Sequence, residues 1–444
     1  MADKEQNQDT IVIMQLSDLH FGISDNPKNF DGGHHFKNRQ SVEESFLKSF
    51  NSIPDDWKPD ILVITGDIAF EGKTADYEKA KDFLTKFLNL DGQKIQNNDI
   101  VICPGNHDVY INSREIKKPL ARLKKDKLLS EHSSEEMPHI LTPDFVQNYI
   151  YKFDEYADFC YEFHIEALDN SANASEAEKE DREQEEKKLK YLYGFRKVKG
   201  ISFIALNSEW DYNVKIKDGN GNFTKADNAV GCLRLGVDLF YDSISKVNEN
   251  DIVIVLFHRP IDHMHISEYK VGNENMQDLI NRNAHLVLNG HEHKNSNDRL
   301  HMGNAAYFTC GTFHNNRTID NEYCFQLFKI LIKYDKKLSK RFCIRQVYKY
   351  VWNNNKGIKQ AEWKLDRQDE PFLLGPQNAT EYSFSDKNNN EYHIDQKKLT
   401  EDTIAATGVN ETLVKSLSVP HVGNEYEDSN SGAEDTKNDI KNKN

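Results

Sequence analysis

Five short groups of carboxylate, amide and imidazole side chains recur along the chain, each directly behind a short apolar run. They are Asp18-Leu19-His20, Gly66-Asp67, Gly105-Asn106-His107-Asp108, His258-Arg259-Pro260 and Gly290-His291-Glu292-His293. Imidazole with carboxylate oxygen suits Mn, Fe, Zn or Ni; so much nitrogen fits a pure Mg or Ca site less well. A lone Asp-x-His or His-x-His is commonly surface or core furniture. Five groups, each closing an apolar run, point instead to one shared cation site.

The runs that must position them are short and rich in Ile and Val: Ile11–Leu16, Ile61–Thr65, Ile100–Cys103, Ile201–Leu206, Ile252–Phe257, His285–Leu288 and Ala306–Cys310. Such runs, followed by Asp, Gly, Asn or His, read as buried strands that deliver loops at their C-terminal ends. Helical patterns at Val42–Phe50 and Tyr77–Leu88 fall between the first three. That alternation implies an α/β layered core. Thr142-Pro143-Asp144 reads as a helix start, and Phe145, Tyr149, Phe153, Tyr156, Cys160 and Phe163 make one apolar stripe behind it. Glu176–Lys190 is a charge run expected to be a solvated helix or loop. Tyr323–Tyr334 and Phe342–Trp352 read as a hairpin.

With 444 residues the chain can bury a large core without disulfides. The expected organisation is one α/β domain over 1–352 with a helical insert at about 112–191, a C-terminal extension over 353–419, and a disordered tail over 420–444. A net charge of −15 excludes a uniformly basic nucleic-acid coat but not local patches. The six cysteines form no CxxC pair, which leaves a Cys-type zinc site unsupported. With a polar, acidic N-terminus and no run of membrane-spanning length, a cytoplasmic location is expected.

Asp-x-His, Gly-Asp, Gly-Asn-His-Asp, the single His and Gly-His-x-His together resemble the calcineurin-like metallophosphoesterase superfamily, over about Ile11 to Thr312. The resemblance implies a two-sheet α/β sandwich flanked by helices, with a dimetal centre at its loops. It assigns one metal to Asp18, His20, Asp67 and His293. The other falls to Asp67, Asn106, His258 and His291, with Asp67 bridging. His107 would be the catalytic histidine and not a ligand. Asp108 would orient a ligand or loop. The implied cofactors are two divalent transition-metal ions, Mn²⁺ above Fe, Zn or Ni.

Two positions depart from the superfamily pattern. Phe70 stands where several branches carry an acid that partners the catalytic histidine. Arg259 stands where many relatives carry a second histidine, and is expected to contact a phosphate oxygen or to pair with a carboxylate. Three further residues could touch substrate: His34 and His35, after Gly32-Gly33, and Arg39. Two basic stretches, Arg114–Lys127 and Lys333–Lys349, could guide a polyanion. The function expected is phosphodiester hydrolysis on nucleotides or nucleic acid, a nuclease included. The alternatives are a phosphomonoesterase or protein phosphatase, and a non-catalytic scaffold. No membrane is expected as partner.

Overall fold

A computed structural model describes residues 10–23, 39–110, 147–170, 187–212, 215–217, 223–225, 233–264, 275–295, 305–314, 322–335, 338–353, 360–374, 381–385 and 391–395. His34, His35, Thr142–Asp144, Arg114–Lys127, most of Glu176–Lys190 and the stretch 420–444 lie outside them. The described strands are β1 (Thr10–Leu16), β2 (Ile61–Thr65), β3 (Ile100–Cys103), β4 (Gly194–Val198), β5 (Ile201–Ala205), β6 (Lys215–Lys217), β7 (Phe223–Lys225) and β8 (Ile252–Leu256). They continue with β9 (Leu286–Asn289), β10 (Ala306–Thr309), β11 (Cys324–Asp335), β12 (Leu338–Asn353), β13 (Gln360–Gln368), β14 (Phe372–Leu373), β15 (Glu381–Ser385) and β16 (Glu391–Asp395).

Two sheets carry the architecture. The larger runs β13-β12-β11-β1-β2-β3, with β14 beside β12; the smaller runs β10-β9-β8-β5-β4. β1, β2 and β3 are mutually parallel, as are β5, β8, β9 and β10. Parallel strands end on the same side, so every motif that follows one is delivered to the same edge. The pairs β6–β7 and β15–β16 stand apart as two-stranded ribbons.

Strand periodicity explains the layers. Ile11 and Ile13, Ile61 and Val63, and Val101 and Cys103 share one face of the larger sheet. They meet Ile201, Phe203, Ile252, Ile254, Leu256 and Leu288 of the smaller sheet in one buried core. The alternate residues Ile204, Val253, Val255 and Val287 face outward, onto Phe240 of α4 (Val237–Ile244) and Leu279 and Ile280 of α5 (Met276–Asn283). α1 (Arg39–Phe50) and α2 (Thr74–Leu88) bury stripes at helical spacing, Val42-Phe46-Phe50 and Tyr77-Ala80-Phe83-Leu84-Phe87. Phe46 bridges them, 5.8 Å from Phe83 and 5.6 Å from Phe87 between ring centroids. Each such fully buried side chain contributes roughly 1.5–3 kcal/mol of burial.

The long hairpin is β11–β12, as its two alternating segments imply. The larger sheet runs on past residue 352, however. β13 adds to the edge of β12, and Trp363 packs 5.9 Å from Phe46 while its indole donates to the Val42 carbonyl. The polar composition after Asn353 hides this strand because only one of its faces is covered. α3 (Asp154–Glu162) buries Tyr156 and Cys160 of the expected stripe, with Phe159 beside them; Phe153 and Phe163 of that stripe are buried at its two ends, and Phe145 lies outside the described residues. Cys103, Cys160, Cys310, Cys324 and Cys343 are buried and form no disulfide.

The stretch Lys333–Lys349 contributes less surface charge than its sequence suggests. Arg345 is buried and pairs with Asp369 at 2.6 Å, and Lys349 lies 3.6 Å from Glu322 and 3.4 Å from Asp366. Both sit on β12, an interior strand, and these carboxylates come from β13 and from the residues just before β11 and just after β13. No helix of the described residues is long and apolar enough to cross a membrane.

Candidate metal centre

All five motif groups arrive at one edge. Ser17–His20 follow β1, Gly66-Asp67 follow β2, Gly105–Asp108 follow β3, His258-Arg259 follow β8 and Gly290–His293 follow β9. The chain must turn sharply to aim these side chains. Seven non-glycine residues have left-handed φ among those described, and five of them are Asp18, His20, Asp67, His291 and His293. Such φ values are uncommon for residues with a Cβ and cluster where function demands them.

The two central carboxylates share one design: the protein holds one oxygen and leaves the other facing imidazoles. Asp67 Oδ1 accepts the His107 backbone N–H at 2.7 Å. Its Oδ2 lies 3.2 Å from His20 Nε2 and 3.3 Å from His258 Nε2. Asp18 Oδ2 accepts from the Ser17 hydroxyl at 2.6 Å and the His291 N–H at 3.1 Å. Its Oδ1 lies 3.0 Å from His293 Nε2. Asn106 Oδ1 is 3.3 Å from His258 Nε2.

Main-chain carbonyls set the imidazoles. His20 Nδ1 meets the His314 carbonyl at 2.9 Å, His258 Nδ1 meets that of Thr65 at 2.8 Å, and His107 Nδ1 meets that of Phe70 at 2.7 Å. For His20 and His258, an N–H donated from Nδ1 leaves Nε2 for a cation, the usual outer support of a metal-binding histidine. Asp18, His20 and His293 offer atoms within 4.8 Å of one another, as do Asp18, Asp67 and His258. His291 sits beside His258, with ring centroids 5.2 Å apart. His20, Asp67 and His107 form a third such group, and His263, His291 and Glu292 a fourth. Carboxylate and imidazole donors of this kind suit divalent cations, although His291 Nε2 itself faces Arg259 Nη1 at 3.2 Å.

Charge follows the same logic. Burial opposes ionisation of Asp18, but His293 and His258 outweigh it and hold the carboxyl well below its usual range. Asp67 is held low in the same way by His258 and His107. Burial also opposes the charge on His258, yet Asp67 pushes it up to about 10. His20 is lowered by burial, and His291 by burial together with the Arg259 cation; each favours the neutral form a metal needs.

His107 borders this centre, its ring 4.9 Å from that of His20. Asp108 is fully buried; it accepts from the N–H groups of Ile68, Ala69 and Gly105 and from the Tyr77 hydroxyl at 3.1 Å. It thereby clips the Asp67 loop to the Asn106 loop. Burial and the Asp67 charge raise its carboxyl to about 6. Arg39 points at the back of the first motif, donating to the Leu19 and His20 carbonyls at 2.5 and 3.1 Å with its guanidinium over Phe21.

Arg259 is buried, with Nε on both oxygens of Glu209 at 2.9 and 3.1 Å and Nη1 3.2 Å from His291 Nε2. Glu209 carries no motif signal; only its position just behind the strand that ends near Leu206 could have drawn attention to it. The same holds for His263, whose Nε2 lies 3.0 Å from Glu292 Oε1 at the rim of the site.

The family model described as calcineurin-like phosphoesterase matches residues 11–295. No curated protein matches the chain. Among solved structures, the chain is similar to the calcineurin-like phosphoesterase YfkN from Bacillus subtilis, at 12% identity and a TM-score of 0.31, covering 92% of this chain and 98% of that one. A predicted phosphoesterase from Streptococcus pneumoniae aligns at 9% identity and 0.25, covering 80% and 98%. The sulfate thiohydrolase SoxB from Thermus thermophilus aligns at 10% and 0.34, covering 82% of this chain and 56% of its own. The matched segment begins in β1 and ends just behind His293, so it contains every motif of the centre: the chain belongs to the calcineurin-like phosphoesterase family, whose chemistry is metal-dependent hydrolysis of phosphoesters.

Proposed function

We propose that the chain is a two-metal phosphodiesterase acting on nucleotides or nucleic acid, with Mn²⁺ as its preferred activator. Asp18, His20, Asp67 and His293 would hold one ion, and Asp67, Asn106, His258 and His291 the other. Ions held there would supply Lewis-acid polarisation of the phosphoryl group and a lowered pKa for bound water.

The observation that carries the diester reading is the setting of His107. Its Nδ1 is tied to the Phe70 carbonyl and its ring lies against His20, so Nε2 is the nitrogen left for substrate. A protonated Nε2 there donates to the departing oxygen, which an alkoxide leaving from a diester requires. Arg259, beside His291, supplies a fixed cation for a non-bridging phosphoryl oxygen. Asn106 contributes a neutral oxygen where another carboxylate would repel an anionic substrate.

The deciding measurement compares bis-p-nitrophenyl phosphate with p-nitrophenyl phosphate under Mn²⁺. Higher kcat/KM on the diester is expected; a preference for the monoester favours a phosphatase. The nucleic-acid part is tested through Arg114–Lys127. Changing Lys117, Lys118, Lys124 and Lys125 to Ala should flatten the salt dependence of polynucleotide binding and spare a small diester. Equal salt slopes for parent and variant would remove that stretch as a guide.

A further inference from the structure

The ion pair between Glu209 and Arg259 is more deeply buried than stability alone explains. Glu209 is fully buried and Arg259 nearly so. Removing two charges from water is costly, and apolar residues of similar volume would commonly serve stability as well or better. The pair is also elaborately held. Ser208 donates its hydroxyl to Glu209 Oε1 at 2.8 Å and accepts the Arg259 backbone N–H at 3.2 Å. The Glu209 N–H donates to Asn207 Oδ1 at 2.7 Å. The guanidinium carbon stands 5.7 Å from the Tyr212 ring centroid.

The fold explains how they meet. β5 and β8 are parallel neighbours in register, Ala205 opposite Leu256, and the Leu206 N–H donates to the Leu256 carbonyl at 2.9 Å. Glu209 and Arg259 therefore leave adjacent strand ends on the same edge as the metal ligands. With Nε taken by the carboxylate, the guanidinium plane is fixed. Its Nη1 reaches His291 Nε2, and Nη2 has no hydrogen-bond partner among the described residues. A cation clamped beside a centre built for two more cations makes electrostatic sense once an anion lies between them.

We infer that Glu209 is the positioning residue that presets Arg259 for a non-bridging oxygen of the phosphoryl group. The inference rests on the phosphoesterase reading above. On this assignment the Asn207-Ser208-Glu209 loop spares Arg259 the entropy of ordering a long side chain when substrate arrives.

The test is a double-mutant cycle between Glu209→Gln and Arg259→Ala in the Mn²⁺-loaded protein, read by calorimetric binding of inorganic phosphate, with metal content measured for each variant. Glu209→Gln keeps the volume and a carbonyl acceptor, so it guards against loss of fold. Arg259→Ala should weaken phosphate binding about 10–10²-fold, the range for a hydrogen bond to a charged group. Glu209→Gln should weaken it several-fold in the parent and not at all when Arg259 is already Ala. Equal effects of Glu209→Gln in both backgrounds would overturn the assignment. So would loss of Mn²⁺ affinity in Arg259→Ala with phosphate binding unchanged at saturating metal, since Arg259 would then only brace His291. A parent that binds no phosphate overturns it as well. Diesterase activity is assayed alongside. A coupled phosphate cycle without hydrolysis would defeat the enzymatic reading and leave this one standing; activity with an additive cycle would do the reverse.

Discussion

The main-chain carbonyl of Phe70 accepts the Nδ1 hydrogen of His107 at 2.7 Å, and the phenyl ring of Phe70 stacks on the imidazole at 5.1 Å and 16°. The imidazole is thus oriented by a main-chain carbonyl, at a position whose own side chain carries no carboxylate. A carbonyl needs no particular side chain, so Phe70→Ala should keep the imidazole's direction while losing the stacking on His107 and the edge contact with His20, 6.0 Å away between ring centroids. The expected outcome is a fall in kcat of a few-fold. His107→Ala should keep both metals and lose about 10²–10⁴-fold, the range for a general acid. A nitrophenyl ester, whose leaving group needs no proton, should suffer less. Steady-state kinetics with metal analysis on both variants checks this; metal loss in His107→Ala would place the residue inside the coordination shell.

Asp67 is the shared element of the two proposed metal positions. Asp67→Asn leaves Oδ1 an acceptor for the His107 N–H but puts an amide NH2, which has no lone pair to offer a cation, where Oδ2 stood. Binding of both ions should weaken together, with activity lost in parallel. His293→Ala should empty one position preferentially, because His293 Nε2 lies on Asp18 Oδ1 at 3.0 Å while the contacts of Asp67 Oδ2 are with His20 and His258. Titration of metal into apoprotein distinguishes the two variants by stoichiometry. A parent that reaches full activity with a single ion would remove the bridging role.

The metal-free protein should respond to pH through His258. Its folded value near 10 lies above the unfolded value near 6.5, raised chiefly by Asp67 against the opposing effect of burial. A raised imidazole stabilises the fold fully below about pH 6.5, and that contribution is lost as pH rises through about 10. Metal-free Tm should therefore decline across that window. Metal loading must expel the proton, so binding should release protons and weaken as pH falls. Calorimetry in two buffers of different ionisation enthalpy counts them; zero release at pH 7.5 would contradict the raised imidazole.

The motif groups were legible because they are local words at strand ends. Asp18-x-His20 or His291-x-His293 can be read without knowing what lies opposite. The supports were not legible, because they are long-range and anonymous. The carbonyls of Thr65, Phe70 and His314 are backbone atoms with no sequence signature, and Glu209 meets Arg259 only because β5 pairs with β8. The same holds for the fold. The alternating runs announced β11 and β12, whereas β13, half solvated and polar, became visible only through Trp363 against α1.

Gly105 tests how tightly that arrangement is packed. Its φ of −112° is open to any residue, so backbone strain is not the issue. A methyl group there would instead run into the Asp67 carboxylate and backbone nitrogen. Asp67 has no room to retreat, because Oδ1 is held by the His107 N–H and its loop is clipped by Asp108 through Ile68 and Ala69. Gly105→Ala should therefore cost about 1–3 kcal/mol of stability, the usual range for overpacking. The larger effect falls on the metals: displacing Oδ2 by a fraction of an ångström disturbs both positions at once. Denaturant unfolding of the metal-free variant measures the first effect and metal titration the second. Near-parent stability together with parent metal affinity would show that the loop yields, and that the glycine there is not required by the close approach of Asp67.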